Sequence, residues 1–380
     1  LSQSLLHRPV DVGPARYAML EMTREFAVDE LTTSGAGTEL ARRHAGYFLS
    51  LVEEIEPLLT QEPRGHGAVR LMPEMPNIRA ALRFALESDP DLGLRLAGGI
   101  WRFWQSSDQL LEGRAWLEQL LEKPGASDEC RAKGLIALAG LAYWLADYDG
   151  ALARYEPALE LYRSAGDRFN QADTLYGMSL TAGWKGELAS AEQYAAESRA
   201  LFEELDLTEG VGRALVAQAF VLWKRDDLIA ARDLWAQAHA IAREAGDLAL
   251  ASTQLVGMAS LTFHLGDSAE AMRIVSEGVR EAFEMQNAHI AVWMLDFVAA
   301  FAAPQAPEAA VRVAGAVDAL RQEAGGGMVP ASLDVADARS TAATLLDPAA
   351  LDRAWSEGRQ LSLEEAVQEG RALARAFSNG

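Results

Sequence analysis

The sequence predicts an all-α fold, a right-handed α-solenoid of paired helices with a 40-residue period. Two features of the repeated unit support this prediction. A leucine stands sixteen residues before each of four alanines, and an acidic residue stands four residues before it. The alanines themselves, spaced 40 residues apart, are Ala151, Ala191, Ala231 and Ala271. A period in this range is typical of stacked helix pairs, because one pair alone cannot bury its apolar face.

Each repeat fits an antiparallel pair of helices. A small residue stands four positions after the leucine, so the two share one face of the first helix. The alanine falls in the first turns of the second helix, and we expect it to be buried against the first. The acid falls near the start of that second helix, where negative charge complements the helix dipole. These acids are Asp147, Glu187, Asp227 and Asp267.

The segment 147–159 resembles a tetratricopeptide repeat. Ala139, Ala151, Tyr155 and Ala158 match the small, aromatic and alanine positions of that family. The period departs from the family, because the standard repeat has roughly 34 residues. We expect the additional residues to lengthen each helix by about one turn.

The chain divides into four predicted segments. Residues 1–35 form short strands and a helix, 36–124 a helical linker with a degenerate first repeat, 125–323 the solenoid and 324–380 a helical cap. Gly13-Pro14 predicts a turn in a hairpin-like connection between the strands of the first segment.

Outside the four clean repeats, helices are expected over 21–31, 38–60, 68–86, 92–104, 110–121, as a pair within 288–323, and over 331–346, 348–358 and 362–377. Pro57, Pro73 and Pro76 are expected to kink or shorten the helices that contain them. Gly113 takes the place of the repeated alanine in the degenerate first repeat. Gly166-Asp167 and Gly246-Asp247 are expected to end second helices, since glycine supplies the helix stop.

Composition restricts the function. The chain has 34 basic and 55 acidic residues and a net charge of −21, so we expect no direct binding of nucleic acid. The single cysteine, Cys130, suits a reducing cytosol, and no apolar run reaches membrane-spanning length, which favours a cytoplasmic protein. The chain begins at Leu1 without a methionine, and we interpret it as a piece of a longer protein.

The residues give no sign of catalysis. None of the four lysines follows a glycine, so the Gly-Lys-Ser/Thr element of a phosphate-binding loop is missing. The histidines have no metal-ligand spacing, and Cys130 has no arguable general base. We therefore predict no enzyme activity, no cofactor and no metal; a hydrolytic enzyme with an unrecognised site is the minor alternative.

Four segments outside the clean repeats resemble bacterial STAND-type signalling ATPases, which are fused to transcription activators or nucleotide cyclases and include the maltose-regulon activator family. They are residues 16–27, 41–49, 76–82 and 351–367; the family often has an acid in place of Pro76. The resemblance implies that residues 1–35 hold the tail of a winged-helix domain, that a nucleotide-binding domain precedes it in the parent chain, and that the repeats act as sensor. The alternative is a stand-alone scaffold that only assembles proteins.

The candidate binding residues lie on the first helix of each pair, which lines the concave surface in tetratricopeptide repeats. Aromatic and charged side chains at these positions can form a groove for a protein partner or a small-molecule effector; alternatively, the aromatic rings wedge between helix pairs as core. The candidates are Tyr143, Trp144, Asp173, Tyr176, Trp184, Arg213, Phe220, Trp223, Phe263 and His264.

Overall fold

The computed structural model describes residues 6–7, 18–19, 21–61, 66–107, 109–284, 288–323 and 336–378. Strand β1 (Leu6–His7) pairs antiparallel with β2 (Ala18–Met19), and Leu6 lies opposite Met19. This pairing agrees with the hairpin predicted for residues 1–20. Its assignment to a winged-helix domain stays a prediction.

Five helical elements precede the repeats: α1 (Glu21–Ser34), α2 (Gly37–Gln61), α3 (His66–Leu71), a 3₁₀ turn (Met72–Glu74) and α4 (Met75–Ser88). Pro57 lies inside α2 and does not end it early. Pro73 and Pro76 do interrupt the single helix predicted over 68–86. Each falls in the first turn of a new helical element, the position where the missing N–H of proline is tolerated.

The repeats form twelve helices among the described residues. They are α5 (Pro90–Ser106), α6 (Leu110–Leu121), α7 (Asp128–Trp144), α8 (Tyr148–Ala165), α9 (Arg168–Lys185), α10 (Leu188–Glu204), α11 (Thr208–Lys224), α12 (Leu228–Glu244), α13 (Leu248–His264), α14 (Ser268–Glu284), α15 (Ala288–Ala302) and α16 (Pro307–Glu323). From α7 to α14 each helix has 17 or 18 residues, a result that fits the expected lengthening.

Three helices follow the repeats in the described part of the chain: α17 (Ala338–Ala342), α18 (Pro348–Gly358) and α19 (Leu363–Ser378). The helix predicted over 331–346 ends earlier than expected, because α17 stops at Ala342. The chain then turns, and the Thr344 N–H donates to the Thr341 carbonyl. The start of that predicted helix lies outside the described residues. Helix α19 packs against α14, α15 and α16.

The turns explain the 40-residue period, because it consists of two halves of 20 residues. In each turn one residue has a positive φ, the N–H after it bonds back into the last helical turn, and the next helix begins. At the first of these turns, Asp147 N–H donates to the Ala142 carbonyl at 2.9 Å. In the seven turns between α7 and α14, the residues with positive φ are Ala146, Gly166, Gly186, Asp206, Asp226, Gly246 and Gly266.

The repeated acids cap the second helices. The Asp147 carboxylate accepts from the Gly150 N–H at 3.0 Å, and Asp227 and Asp267 make the same bond three residues on. Glu187 occupies the same position at α10 without a side-chain capping bond, since its longer side chain does not fit the capping geometry. The acids therefore satisfy backbone donors as well as complementing the dipole.

The predicted phase of the helix pairs is confirmed by burial. All four repeated alanines are fully buried, with 0% exposure. Leu175, Leu215 and Leu255 are buried on the facing helices, and Leu135 is half-buried. The Ser179 hydroxyl in α9 donates to the Ala191 carbonyl in α10 at 2.8 Å. This hydrogen bond links the two helices of the pair. The all-α solenoid of tetratricopeptide-like pairs is thus confirmed.

The first helices of successive repeats stand beside one another: α5 contacts α7, α7 contacts α9, α9 contacts α11 and α13 contacts α15. We call the surface that these first helices form the concave face. All ten candidate binding residues lie in these first helices, in α7, α9, α11 and α13.

Candidate functional site

An aromatic band crosses three repeats of the concave face; we define it as Tyr143, Trp184, Phe220 and Trp223. The Trp184 indole Nε1–H donates to the Tyr143 hydroxyl at 2.8 Å and so joins α9 to α7. The Trp184 ring meets Phe220 at 5.0 Å and Trp223 at 6.0 Å between centroids. These spacings are typical of tilted and edge-to-face aromatic pairs. The band is therefore one connected surface.

Burial differs along the aromatic band. Phe220 and Trp223 are only 5% and 6% exposed, which favours the core alternative for these two rings. Tyr143 and Trp184 are half-buried, so part of each side chain is accessible to solvent. The Phe220 ring can be buried because residue 183 is a glycine. A Cβ at Gly183 would stand 2.5 Å from the Phe220 ring.

Lys224 covers the outer edge of the band. Its Nζ lies 4.3 Å from the Trp184 ring centroid and 4.2 Å from that of Trp223. Both distances suit cation–π attraction. Within the described ranges no carboxylate pairs with this ammonium group, and its nearest contacts given by the structure are the aromatic faces.

A charged cluster lies beside the band; we define it as Arg102, Asp173 and Arg213 with the phenols Tyr155 and Tyr176. Arg213 donates to the Asp173 carboxylate at 2.5 Å, joining α11 to α9. The Arg213 guanidinium also stands 5.2 Å from the Phe202 ring centroid. Three of the predicted residues, Asp173, Tyr176 and Arg213, are thus brought together.

The tyrosine hydroxyls of this region are held neutral. Burial raises the pKa of Tyr155 and of Tyr176. The Asp173 carboxylate adds to this rise in both, while the charge of Arg213 opposes it at Tyr176. Burial also raises the pKa of Tyr143, although the hydrogen bond from Trp184 works in the opposite direction. All three groups therefore act as neutral hydroxyls, which can donate or accept a hydrogen bond.

The remaining predicted residues belong to neither the aromatic band nor the charged cluster. Trp144 is half-buried and meets Tyr143 edge-on at 5.8 Å. Phe263 stacks on Phe301 at 4.6 Å, with 13° between the ring planes, and belongs to the C-terminal core. His264 is exposed, and its Nδ1 lies 2.8 Å from the Ser260 carbonyl oxygen. Among the described residues neither Phe263 nor His264 has a ring contact with the aromatic band.

Arg102 and Tyr155 were missed as site residues by the sequence reasoning. For Arg102 a signal exists: it stands eleven residues before Gly113, the same spacing that separates Phe220 from Ala231. The repeated pattern therefore assigns Arg102 to the Phe220 position of the degenerate repeat. Tyr155 lies on a second helix, at a position that the tetratricopeptide pattern assigns to core. Its ring packs where Gly177 leaves space, since a Cβ there would stand 2.8 Å from the hydroxyl.

A shallow depression lies between the second helices α8 and α10, away from the concave face. It is lined by Glu156, Glu160, Arg163, Tyr194, Glu197 and neighbouring side chains. Arg163 pairs with Glu160 at 2.7 Å and with Glu197 at 3.7 Å, so its charge is already neutralised. Across the ranges that the structure covers, no group of three His, Cys, Asp or Glu side chains is placed to hold a metal ion.

No helix within the described residues has both the length and the apolar character needed to cross a bilayer. The thiol of Cys130 is free and buried, and burial raises its pKa.

Comparison with curated proteins finds bacterial regulators. A protein of Mycobacterium bovis named as an HTH-type transcriptional regulator is 29% identical over 206 residues, which are 51% of this chain and 23% of that protein. A protein of Mycobacterium tuberculosis with the same kind of name matches equally. The chain thus matches about a quarter of the length of these relatives. No protein-family model matches the sequence.

Comparison with solved structures finds helical repeat proteins. A Rap protein complexed with Competence and Sporulation Factor has a TM-score of 0.53 at 11% identity, over 90% of this chain and 97% of that one. The Rap conjugation gene regulator of plasmid pLS20, in complex with the Phr* peptide, has a TM-score of 0.51 at 10% identity, over 87% and 96%. A STAND protein with a tetratricopeptide repeat sensor from Pyrococcus horikoshii has a TM-score of 0.49 at 14% identity, over 98% and 59%. At these identities the likeness concerns the fold.

Proposed function

We propose that this chain is the sensor region of a STAND-type regulator of transcription and that it binds an effector or a protein partner on its concave face. The observation that carries the proposal is the aromatic band beside the charged cluster. Binding sites are commonly lined by aromatic rings together with a few charged groups, and here both lie on adjacent helices. The role is binding, with no catalytic step assigned to this chain.

The comparisons with known proteins also support a binding role in a regulator. The two Rap structures that share the fold are complexes, one with Competence and Sporulation Factor and one with the Phr* peptide. The mycobacterial relatives are named as transcriptional regulators. A peptide-sized or smaller effector is the occupant we propose for the concave face, and we place the parent protein in the cytoplasm.

The first helix has an exposed apolar face that suits contact with another part of a longer chain. Met22 and Phe26 stand four residues apart in α1 and are 83% and 66% exposed. We assign residues 1–35 to the tail of a winged-helix domain and propose that this face meets a preceding nucleotide-binding domain. Residues 36–124, 125–323 and 324–380 are then the linker with the first repeat, the solenoid and the cap.

The first prediction tests effector binding with a thermal-shift screen of this chain against short peptides and small metabolites. We expect at least one probe to raise Tm, and the Trp184→Ala variant to lose roughly 2 kcal/mol of its binding free energy. Trp184 is preferred to Trp223, because the buried Trp223 ring also supports the fold. Circular dichroism checks that the variant keeps its helical content.

The matched control is Tyr47→Ala, which removes an aromatic ring that is 67% exposed on α2. It should leave the affinity of every probe unchanged. A screen in which no probe raises Tm, or in which Tyr47→Ala weakens binding as much as Trp184→Ala, contradicts the sensor role and favours the scaffold that only assembles proteins. The binding of ATP would likewise contradict the assignment of nucleotide binding to another domain.

A further inference from the structure

Arg102 is a half-buried cation that the protein does not pair with an anion. Its guanidinium stacks 4.4 Å from the Trp101 ring centroid on α5. Among the residues that the structure describes, none forms a hydrogen bond with this group and no carboxylate lies within 4.0 Å of it. A guanidinium has five N–H donors in a planar fork. Leaving all of them without a partner in a partly desolvated position is unfavourable.

Two other arginines, one on the same helix as Arg102 and one in the charged cluster, each form an ion pair with a carboxylate. Arg95 stands seven residues before Arg102 on α5, about two helical turns away, and bonds the Glu53 carboxylate of α2. Arg213 on α11 bonds the Asp173 carboxylate. Arg102 therefore differs from both of these arginines, because its positive charge has no carboxylate partner among the described residues.

Arg102 gives the charged cluster a net positive charge. Burial lowers the pKa of its guanidinium, and the charge of Asp173 partly offsets this effect. Asp173 is already bonded to Arg213, so the charged cluster holds two cations and one anion. This single excess positive charge occurs in a chain whose net charge is −21.

Two neutral hydroxyls complete the cluster. Tyr155 and Tyr176 lie within electrostatic reach of Arg102. In the described part of the chain neither hydroxyl forms a hydrogen bond. The cluster therefore offers one guanidinium fork on α5, one O–H donor on the first helix α9 and one on the buried Tyr155 of the second helix α8, with no free anion of its own to receive them.

We propose that Arg102, with the hydroxyls of Tyr155 and Tyr176, binds a carboxylate of the effector. This inference rests on the proposed effector binding by the concave face and names the chemistry that would be recognised there. A planar carboxylate matches the guanidinium fork with two parallel hydrogen bonds. A single negative charge balances the excess charge of the cluster, whereas a dianion would leave a net negative charge there. The carboxylate can belong to a peptide C-terminus or to a small organic acid.

The experiment compares matched probes on the whole chain: peptides with a free C-terminal carboxylate or a C-terminal amide, and small organic acids or their primary amides. We expect the acid of at least one pair to bind about 10- to 100-fold more tightly than its amide, because hydrogen bonds to a charged group are the stronger ones. The peptide and organic-acid arms distinguish the two sources. Arg102→Met should abolish the preference for the acid.

Two controls keep the test independent of folding. Arg102→Met should leave the Tm of the unliganded chain unchanged or higher, because methionine removes an unpaired charge and can still cover Trp101. Arg83→Met, which removes an exposed arginine of α4, should keep the preference for the acid.

Three outcomes would overturn this inference alone. A Tm lowered by several degrees in unliganded Arg102→Met would make the arginine structural. Equal affinity for acids and amides, with binding still sensitive to Trp184→Ala, would refute the carboxylate site and leave the proposed function standing. Inorganic phosphate that stabilises the chain more than acetate at equal ionic strength would assign the cluster to phosphate. If no probe of either series binds, both proposals fail.

Discussion

At the scale of single residues, the left-handed turn positions set the length of every helix in the clean repeats. Four of the seven are glycines, which adopt positive φ without steric cost. Ala146, Asp206 and Asp226 adopt φ values of 57°, 55° and 65°, where a Cβ crowds the following carbonyl. Aspartate tolerates this conformation better than alanine does. Ala146 is therefore the most strained of these turns.

The second prediction concerns this strain. Ala146→Gly should raise the free energy of unfolding by about 0.5–1 kcal/mol, because the relief of the left-handed strain exceeds the added entropy of the unfolded chain. The reverse change, Gly166→Ala, should lower it by a similar amount, although a Cβ at Gly166 meets nothing within 4 Å. Urea denaturation followed by circular dichroism measures both. A lower midpoint for Ala146→Gly would contradict the assigned strain.

Some turn residues could be predicted from sequence and others could not. Gly166 and Gly246 were recognised as helix stops because glycine signals a left-handed residue directly. Ala146 gives no such signal, since alanine is the best helix former. Only its 20-residue spacing from Gly166 relates Ala146 to the glycine turns.

At the scale of elements, each pair depends on a small residue at the point where its two helices come closest. Ala191 in α10 is fully buried and clusters with Ala182 and Val221. The hydrogen bond from Ser179 to the Ala191 carbonyl holds the two backbones together at this point. A larger side chain has no free volume to occupy there.

The third prediction follows from this packing. Ala191→Phe should lower the free energy of unfolding by about 1–3 kcal/mol, since overpacking forces the pair apart. Ala196→Phe is the matched control, because Ala196 is exposed on the same helix. Its denaturation midpoint should stay near that of the parent chain. Equal shifts in the two variants would show that helix propensity, and not packing, causes the loss.

The helix pairs could be predicted from their period, but the burial of individual aromatic rings could not. Trp184 and Trp223 stand at neighbouring positions of their helices, and the pattern treats them alike. Trp223 is buried because the rings of Phe220 and Trp184 lie against it. The Trp184–Trp223 contact crosses from one repeat to the next, so it depends on how successive pairs are stacked. Arg102 was missed because the candidate residues came only from the four clean repeats, and Arg102 lies in the degenerate first repeat.

At the scale of the whole molecule, the negative charge of the chain opposes an anionic effector, and the charged cluster attracts one. The overall repulsion is screened beyond about 8–10 Å at physiological ionic strength. A site that is partly desolvated is screened much less. The local excess charge at Arg102 can therefore determine binding despite the net charge of −21.

The apolar core is unevenly distributed along the solenoid. One continuous cluster lies at the N-terminal end, between Ala45 and Leu141, and another at the C-terminal end, between Leu255 and Ala374. The middle repeats are held by smaller, separate clusters. In a solenoid each repeat contacts mainly its neighbours, so the local stability follows the local core.

The last prediction is that the middle repeats open before the ends. In native-state hydrogen exchange measured by mass spectrometry, amides of α9 to α12 should exchange through openings of lower free energy than those of α5 and α15. Ala191→Phe should lower protection in α9 to α12 and leave α5 and α15 unchanged, because its effect reaches only adjacent repeats. Ala196→Phe should leave all of these helices unchanged. Uniform exchange along the chain, or a loss of protection that spreads to both ends in Ala191→Phe, would mean that the array unfolds as a single cooperative unit and that the separate clusters do not set local stability.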